Sequence, residues 1–142
     1  MEIKEFLSLP GQLDAKIKKT RERIARWEEL SLGIPGQNYD EPVVQRTRSG
    51  EAPFVKWIGK ILEAQKDLEL RLVELSIVKG RVGKIIGRLD DPDAAAILIY
   101  RYLDLCSWKE IEDRMNYNER RIYKLHEEAL KELKKGEPYE IE

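Results

Sequence analysis

The chain has 142 residues, enough for one domain or for a small domain joined to an extended element. Charged residues make up 37% of it, and 26 basic and 27 acidic side chains leave a net charge of −1. This balance excludes a protein whose whole surface serves nucleic acid, so any DNA-binding site must be local.

The first predicted element is a helix that begins near Leu13 and ends near Leu30. Its apolar stripe follows alternating spacings of four and three residues, at Leu13, Ile17, Thr20, Ile24 and Trp27. Residues 31–53 then contain three prolines and three glycines, which break the periodicity. They predict a long polar loop.

A second, longer helix is predicted over residues 58–89. Its stripe keeps the heptad spacing, with the positions Ile58, Ile61, Gln65, Leu68, Leu72, Leu75, Lys79, Val82, Ile86 and Leu89. The glycines of its last third, Gly80, Gly83 and Gly87, predict close packing of a neighbouring helix or, alternatively, a bend. We expect residues 1–89 to form an antiparallel helical hairpin, a coiled-coil-like arm. The part of the stripe that the first helix leaves uncovered favours contact with the C-terminal domain or a homodimer.

A third helix is predicted from Asp93 to about Leu105. Asp91 is its expected N-cap and Pro92 occupies its first position. Its apolar face is predicted to consist of Ala94, Ile97, Leu98, Tyr102 and Leu105.

Two short helices follow at the spacing of a helix-turn-helix. Ser107 and Glu110 form a capping box, Asn116 suits a left-handed helix end, and Asn118 is a second N-cap. The second helix is predicted to bury Ile122, Leu125, Ala129 and Leu133. We therefore expect an all-α protein in which the hairpin is followed by a small three-helix helix-turn-helix domain at residues 90–135, with a frayed acidic tail at 136–142.

The second helix of such a motif, here residues 119–135, enters the DNA major groove with its first turns. Arginine can pair with guanine through two hydrogen bonds, lysine can reach guanine or phosphate, and glutamate can accept from cytosine. Glu127 and Glu128 are expected to confine contact to the first two turns. The predicted DNA-binding residues are Lys109, Asn118, Glu119, Arg120, Arg121, Tyr123, Lys124 and His126. His126 has a second interpretation, as a packed and hydrogen-bonded residue, and Trp108 is expected to fill the small core.

The stretch "YRYLDLCSWKEIEDRMNYNERRIYKLHEEALKEL" resembles region 4 of the sigma-70 family. More closely, it resembles the C-terminal part of ArpU-type phage and prophage transcriptional regulators. The shared positions are Ser107, Trp108, Ile111, Arg121, Tyr123, Leu125, His126, Ala129 and Leu130. The resemblance implies a regulator that binds double-stranded DNA and contacts RNA polymerase or a sigma factor. This sequence departs from the motif at Glu112, where alanine usually allows close helix packing.

Two alternatives stay open beside DNA-binding regulation. Small terminase subunits of phages also join a helix-turn-helix to helical oligomerisation elements, and would bind packaging-site DNA as a ring. A protein-interaction module that binds a sigma factor or RNA polymerase is the other alternative. The near-neutral charge and Glu112 favour this last class.

Enzymatic chemistry has little support in the sequence, which lacks a glycine-rich phosphate loop and a histidine–acid pair. We therefore expect no enzyme and no cofactor. The single cysteine, Cys106, excludes an intrachain disulfide and fits a reducing compartment. Because no long apolar run occurs, we expect a cytoplasmic protein of the bacterial host cell that has no membrane contact.

Overall fold

The computed structural model describes residues 1–33 and 53–141. Within these residues the chain is all helical, with two long helices followed by three shorter ones, which confirms the predicted fold class. The helices are α1 (Ile3–Ser31), α2 (Pro53–Ile86), α3 (Pro92–Leu98), α4 (Trp108–Met115) and α5 (Glu119–Lys134). The predicted polar loop at 31–53 lies outside the described residues except at its two ends.

Helix α1 begins at Ile3, whereas the apolar stripe had predicted a start near Leu13. Phe6 and Leu7 are fully buried, so the apolar face continues towards the N-terminus of the helix. Pro10 lies inside the helix, where it has no N–H to donate to the carbonyl four residues earlier. The helix nevertheless continues through it, because burial of the preceding apolar turn offsets the lost hydrogen bond.

The buried side of α2 differs in part from the predicted stripe. Ile58 and Leu72 are exposed, whereas Val78 and Ile85, which lie outside the stripe, are buried. A strict seven-residue repeat drifts by about 20° per heptad on a straight α-helix. Over a helix of 34 residues this drift moves the buried positions away from the heptad register. The helix also ends at Ile86, before the predicted Leu89.

The three glycines near the end of α2 have different surroundings. A Cβ on Gly83 would lie 3.9 Å from the Leu103 side chain, whereas one on Gly80 would face open space. Gly87 lies beyond the end of the helix, in a turn. The predicted close packing is therefore limited to Gly83, and α2 is continuous through Gly80 and Gly83.

The chain divides into two compact units, which we call the arm unit (Ala15–Val73) and the head unit (Met1–Asp14 with Glu74–Glu142). This division differs from the predicted boundary between residues 89 and 90. The first fourteen residues and the end of α2 belong to the same compact unit as the helix-turn-helix.

The arm unit contains most of α1 and the first part of α2. The predicted positions Ile17, Thr20 and Ile24 of α1 are buried, as is Ile61 of α2. The Thr20 hydroxyl donates to the Lys16 carbonyl at 3.0 Å, so this buried polar group is satisfied within its own helix.

Helix α3 begins as predicted, because the Asp91 carboxylate accepts the Asp93 N–H at 2.9 Å. It does not continue to Leu105 as an α-helix. After Leu98 the chain forms one π-helical turn, Ile99–Leu103. Leu105 then adopts a φ of 56° and is exposed, so its predicted place on the apolar face is wrong. The wider π turn shifts the residues that follow out of the α-helical register.

The acidic tail is ordered up to Ile141, contrary to the predicted fraying. Tyr139 is buried and stacks on Phe6 with ring centroids 5.2 Å apart. Its N–H donates to the Met1 carbonyl at 2.9 Å, and its hydroxyl donates to the Leu133 carbonyl. Glu137 accepts the Ile3 N–H at 2.8 Å, which caps the start of α1. Burial of the aromatic ring and these hydrogen bonds hold the tail in place.

Candidate nucleic-acid interface

Helix α4 has the two ends that the sequence predicted. The Ser107 hydroxyl oxygen accepts the Glu110 N–H at 3.2 Å, and the Glu110 carboxylate accepts the Ser107 N–H at 3.3 Å. At the other end Asn116 adopts the left-handed conformation, with φ 56° and ψ 39°. The chain therefore leaves α4 sharply and enters α5 after Tyr117 and Asn118.

The turn between α4 and α5 is held on both sides. The Asn118 side-chain oxygen accepts the Arg121 N–H at 2.8 Å, which confirms the predicted N-cap of α5. The Tyr117 hydroxyl donates to the Asp93 carboxylate at 2.7 Å, and this hydrogen bond raises the pKa of Tyr117. The Arg121 guanidinium lies 4.2 Å from the centre of the Tyr117 ring. These contacts connect the turn to the first turn of α3 and to the first turn of α5.

A small core supports the two helices. It consists of the buried residues Ile97, Cys106, Ile111 and Ile122, with Tyr100, Trp108, Met115, Tyr117 and Leu125 packed against it. Trp108 is half-buried, which agrees with its expected place in the core. Helices α4 and α5 pack together, and Glu112, where the sequence departs from the motif that it resembles, is half-buried.

One side of α5 is buried and consists of Ile122, His126, Ala129, Leu130 and Leu133. The side opposite these residues is exposed over the first two turns of the helix. We define the recognition face as the exposed residues Glu119, Arg120, Arg121, Tyr123 and Lys124. It carries three cations and one carboxylate, so the local charge is positive although the chain is close to neutral. Glu127 and Glu128, exposed in the next turn, limit the positive surface to the start of the helix.

The other predicted DNA-binding residues have different positions. Lys109 is exposed in the first turn of α4, so it lies on a different helix from the recognition face. Asn118 is exposed, and its side-chain oxygen is engaged by the cap. His126 is only 8% exposed and belongs to the packed side of α5. This burial argues against the predicted DNA contact of His126, because a base or phosphate could reach the ring only if the helix packing opened.

His126 instead forms a polar contact inside the head unit. Its Nε2 lies 2.8 Å from the Tyr102 hydroxyl, and the two rings are stacked with centroids 5.8 Å apart. The Trp108 ring meets the His126 ring edge-on, at 4.9 Å. Burial lowers the pKa of His126 and raises that of Tyr102, because both charged forms lose hydration.

Arg101 is a structural residue that the sequence reasoning missed. Its guanidinium lies 4.5 Å from the centre of the Trp108 ring, and its Nη1 donates to the Cys106 carbonyl at 3.0 Å. These contacts hold the segment that leads into α4. No sequence signal pointed to them, because they depend on the π turn that directs Arg101 towards the start of α4.

Within residues 1–33 and 53–141, none of the helices has the length and the apolar composition that crossing a membrane requires. The same residues contain no group of three or more His, Cys, Asp or Glu side chains that could hold a metal ion.

Comparison with curated proteins and with solved structures finds no match to the chain, whereas comparison with protein families does. A family model described as a protein of unknown function, DUF1492, matches residues 57–134, which include most of α2 and all of α3, α4 and α5. That match spans more than half of the 142 residues. It also includes the recognition face and the turn before it. The chain therefore belongs to the DUF1492 family.

Proposed function

We propose that the protein is a transcriptional regulator that binds double-stranded DNA sequence-specifically, with the first two turns of α5 in the major groove. The recognition face carries this proposal. It is exposed and locally positive, and it starts directly after the turn that Asn118 caps. Helix α4, on the other side of this turn, is held at its start by the capping box of Ser107 and Glu110. In helix-turn-helix proteins, this part of the second helix contacts the base edges.

The side chains of this face have complementary tasks on a duplex. Arg120 and Lys124 lie on the side of α5 opposite the buried residues, and both can donate hydrogen bonds to guanine N7 and O6. Glu119 can accept from the cytosine amino group, and Lys109 is available for a phosphate. Arg121 is held over Tyr117, so it acts near the turn, where a phosphate contact suits it better than a base contact.

Selection of duplex sites from a random pool tests this proposal. The protein should enrich a defined sequence at low salt, and Arg120→Ala and Lys124→Ala should weaken binding to it. Lys131→Ala is the matched control, because Lys131 is exposed on the same helix beyond Glu127 and Glu128. Helicity and melting temperature should be the same in all three variants. The proposal fails if no duplex is enriched, or if the two variants bind the selected site as well as the unaltered protein does.

A protein partner is the second candidate function. Two exposed carboxylates, Glu127 and Glu128, directly follow the recognition face, and the net charge of the chain is −1. Both features suit a surface of a sigma factor or RNA polymerase better than they suit a polyanion. Recovery of polymerase subunits after nuclease treatment, together with the absence of duplex enrichment, would favour this function over DNA binding.

A further inference from the structure

Helix α2 has a second row of exposed residues within the arm unit, on a different side from the buried Ile61. Leu62 and Val73 in this row are large apolar residues that are 55% and 59% exposed, and Leu70, at its edge, is 71% exposed. Isolated exposed apolar residues are common, but several on one side of a helix mark a surface that is covered by something else. Two exposed charged residues, Lys66 and Glu69, lie between Leu62 and Val73 on this side.

The order of these residues is self-complementary when the helix direction is reversed. We define the α2 strip as Leu62, Lys66, Glu69 and Val73, which follow one another at spacings of four, three and four residues. A second copy of the helix running in the opposite direction would place Leu62 opposite Val73 and Lys66 opposite Glu69. A two-fold axis makes each of these contacts twice.

We propose that the α2 strip is the interface of an antiparallel homodimer of this protein. Charge complementarity selects this arrangement. A parallel pair in register would bring Lys66 against Lys66 and Glu69 against Glu69, and such like-charge contacts oppose association. In the antiparallel pair both charges gain a partner of opposite sign, while Leu62 and Val73 leave water.

The charges of the strip are free to form these contacts. Among the residues that the structure describes, neither Lys66 nor Glu69 forms an ion pair. Their neighbour Asp67 is different, because its carboxylate pairs with the Arg71 guanidinium at 2.8 Å along the same helix. The dimer does not depend on DNA binding, since no residue of the recognition face takes part in it.

Charge-reversal substitutions in the α2 strip test the proposal. Molar mass would be measured against protein concentration for the unaltered full chain, for Lys66→Glu, for Glu69→Lys and for the double variant. The unaltered protein should change from one to two chains as its concentration rises. Each single variant should raise the dimer dissociation constant by roughly tenfold, because the two-fold axis makes two like-charge pairs from one substitution. The double variant should regain the original constant, since the pairs return with their signs exchanged.

Matched controls separate the strip from general charge effects. Lys79→Glu and Glu74→Lys make the same changes at exposed positions of α2 outside the strip and should leave the dissociation constant unaltered. A protein that stays monomeric at all accessible concentrations would overturn the proposal and leave the strip to another occupant. A dimer that neither single variant weakens, or that the double variant fails to restore, would also overturn it. Circular dichroism of every variant shows whether a change in mass comes from unfolding.

Discussion

The Tyr102 hydroxyl and the His126 Nε2 lie 2.8 Å apart on the packed side of α5. Tyr102 belongs to the π turn after α3, and His126 lies in the middle of α5. This hydrogen bond joins two elements whose residues are 24 positions apart in sequence. It satisfies a ring nitrogen that burial would otherwise leave without a partner, so it contributes to the stability of the head unit.

Replacement of Tyr102 by phenylalanine removes the hydroxyl and leaves the ring in place. We expect it to lower the free energy of unfolding by about 1 kcal/mol, the usual value for one hydrogen bond. Urea denaturation measures the change. Tyr123→Phe is the control, because Tyr123 is 58% exposed and should lose less than about 0.5 kcal/mol. Equal stability of Tyr102→Phe and the unaltered protein would contradict a stabilising role for the contact.

The stability of the protein should fall as the pH drops below about 6.5, partly because of His126. Burial lowers its pKa in the folded state, so the unfolded chain takes up the proton first. The free energy of unfolding therefore decreases as the pH falls from the unfolded-state pKa of the histidine to its lower folded-state pKa. Above this pH range both states carry neutral His126 and the stability is not reduced. The chain has one histidine, so no other imidazole titrates there.

Melting temperature measured between pH 7.5 and 5 checks this dependence on pH. His126→Gln retains hydrogen-bonding groups near Tyr102 but does not titrate, so its melting temperature should change less over the same window. The same pH slope in both proteins would show that other groups cause it.

The N-cap of α5 should contribute measurably to stability. Asn118→Ala removes the oxygen that accepts the Arg121 N–H, and we expect a loss of about 1 kcal/mol. Asn118→Asp retains an acceptor at the same place and should lose much less. Chemical denaturation of both variants provides the comparison, and equal losses would mean that the cap hydrogen bond is not the cause.

Lys109 and Arg120 should affect DNA binding in different ways if α5 reads bases. Lys109→Gln should weaken binding to all duplexes similarly and reduce the salt dependence by about one released ion, as expected for a phosphate contact. Arg120→Gln should cost roughly 1–3 kcal/mol on the selected site and relax the preference at one base pair. Titrations of selected and scrambled duplexes at several salt concentrations distinguish these effects. If Arg120→Gln weakened binding to selected and scrambled duplexes equally, Arg120 would contact the DNA backbone and not a base.

The ordered tail should contribute to the stability of the head unit. Tyr139→Ala removes the buried ring that stacks on Phe6 and the hydroxyl that donates to the Leu133 carbonyl. We expect the free energy of unfolding to fall by about 3 kcal/mol or more. Ile141→Ala is the matched control, because Ile141 is exposed and follows the buried residue closely. Thermal and urea unfolding should agree on the order of the two variants. A Tyr139→Ala protein as stable as the control would mean that the ring contributes little.

Local features of the head unit could be predicted from the sequence because short-range chemistry determines them. Asp91, Ser107 and Asn118 are caps whose partners lie within three residues, and Asn116 tolerates the conformation that ends α4. Periodicity predicted the buried positions Ile122, Ala129 and Leu133 of α5, whereas Leu125 is only partly buried and His126 and Leu130 complete the buried face. The exposed recognition face is its complement, so it could be predicted as well.

Contacts between distant segments could not be predicted in this way. The apolar stripe indicated a helix only from Leu13 onward, whereas α1 begins at Ile3, where Phe6 packs on Tyr139 from the other end of the sequence. The π turn shifts Leu105 out of the apolar face, and no periodic pattern indicates such a turn. His126 had two interpretations in the sequence, and the partner that favours its burial, Tyr102, lies 24 residues away.

The contact between Ile3 and Glu137 joins residues 134 positions apart. During synthesis, the first turns of α1 therefore leave the ribosome long before their partners exist. Phe6 stays without its stacking partner until translation has passed Tyr139, and contacts between such distant residues slow folding. The apolar start of α1 is thus a segment of the nascent chain that stays unpacked through most of translation, and a chaperone can bind it during that time.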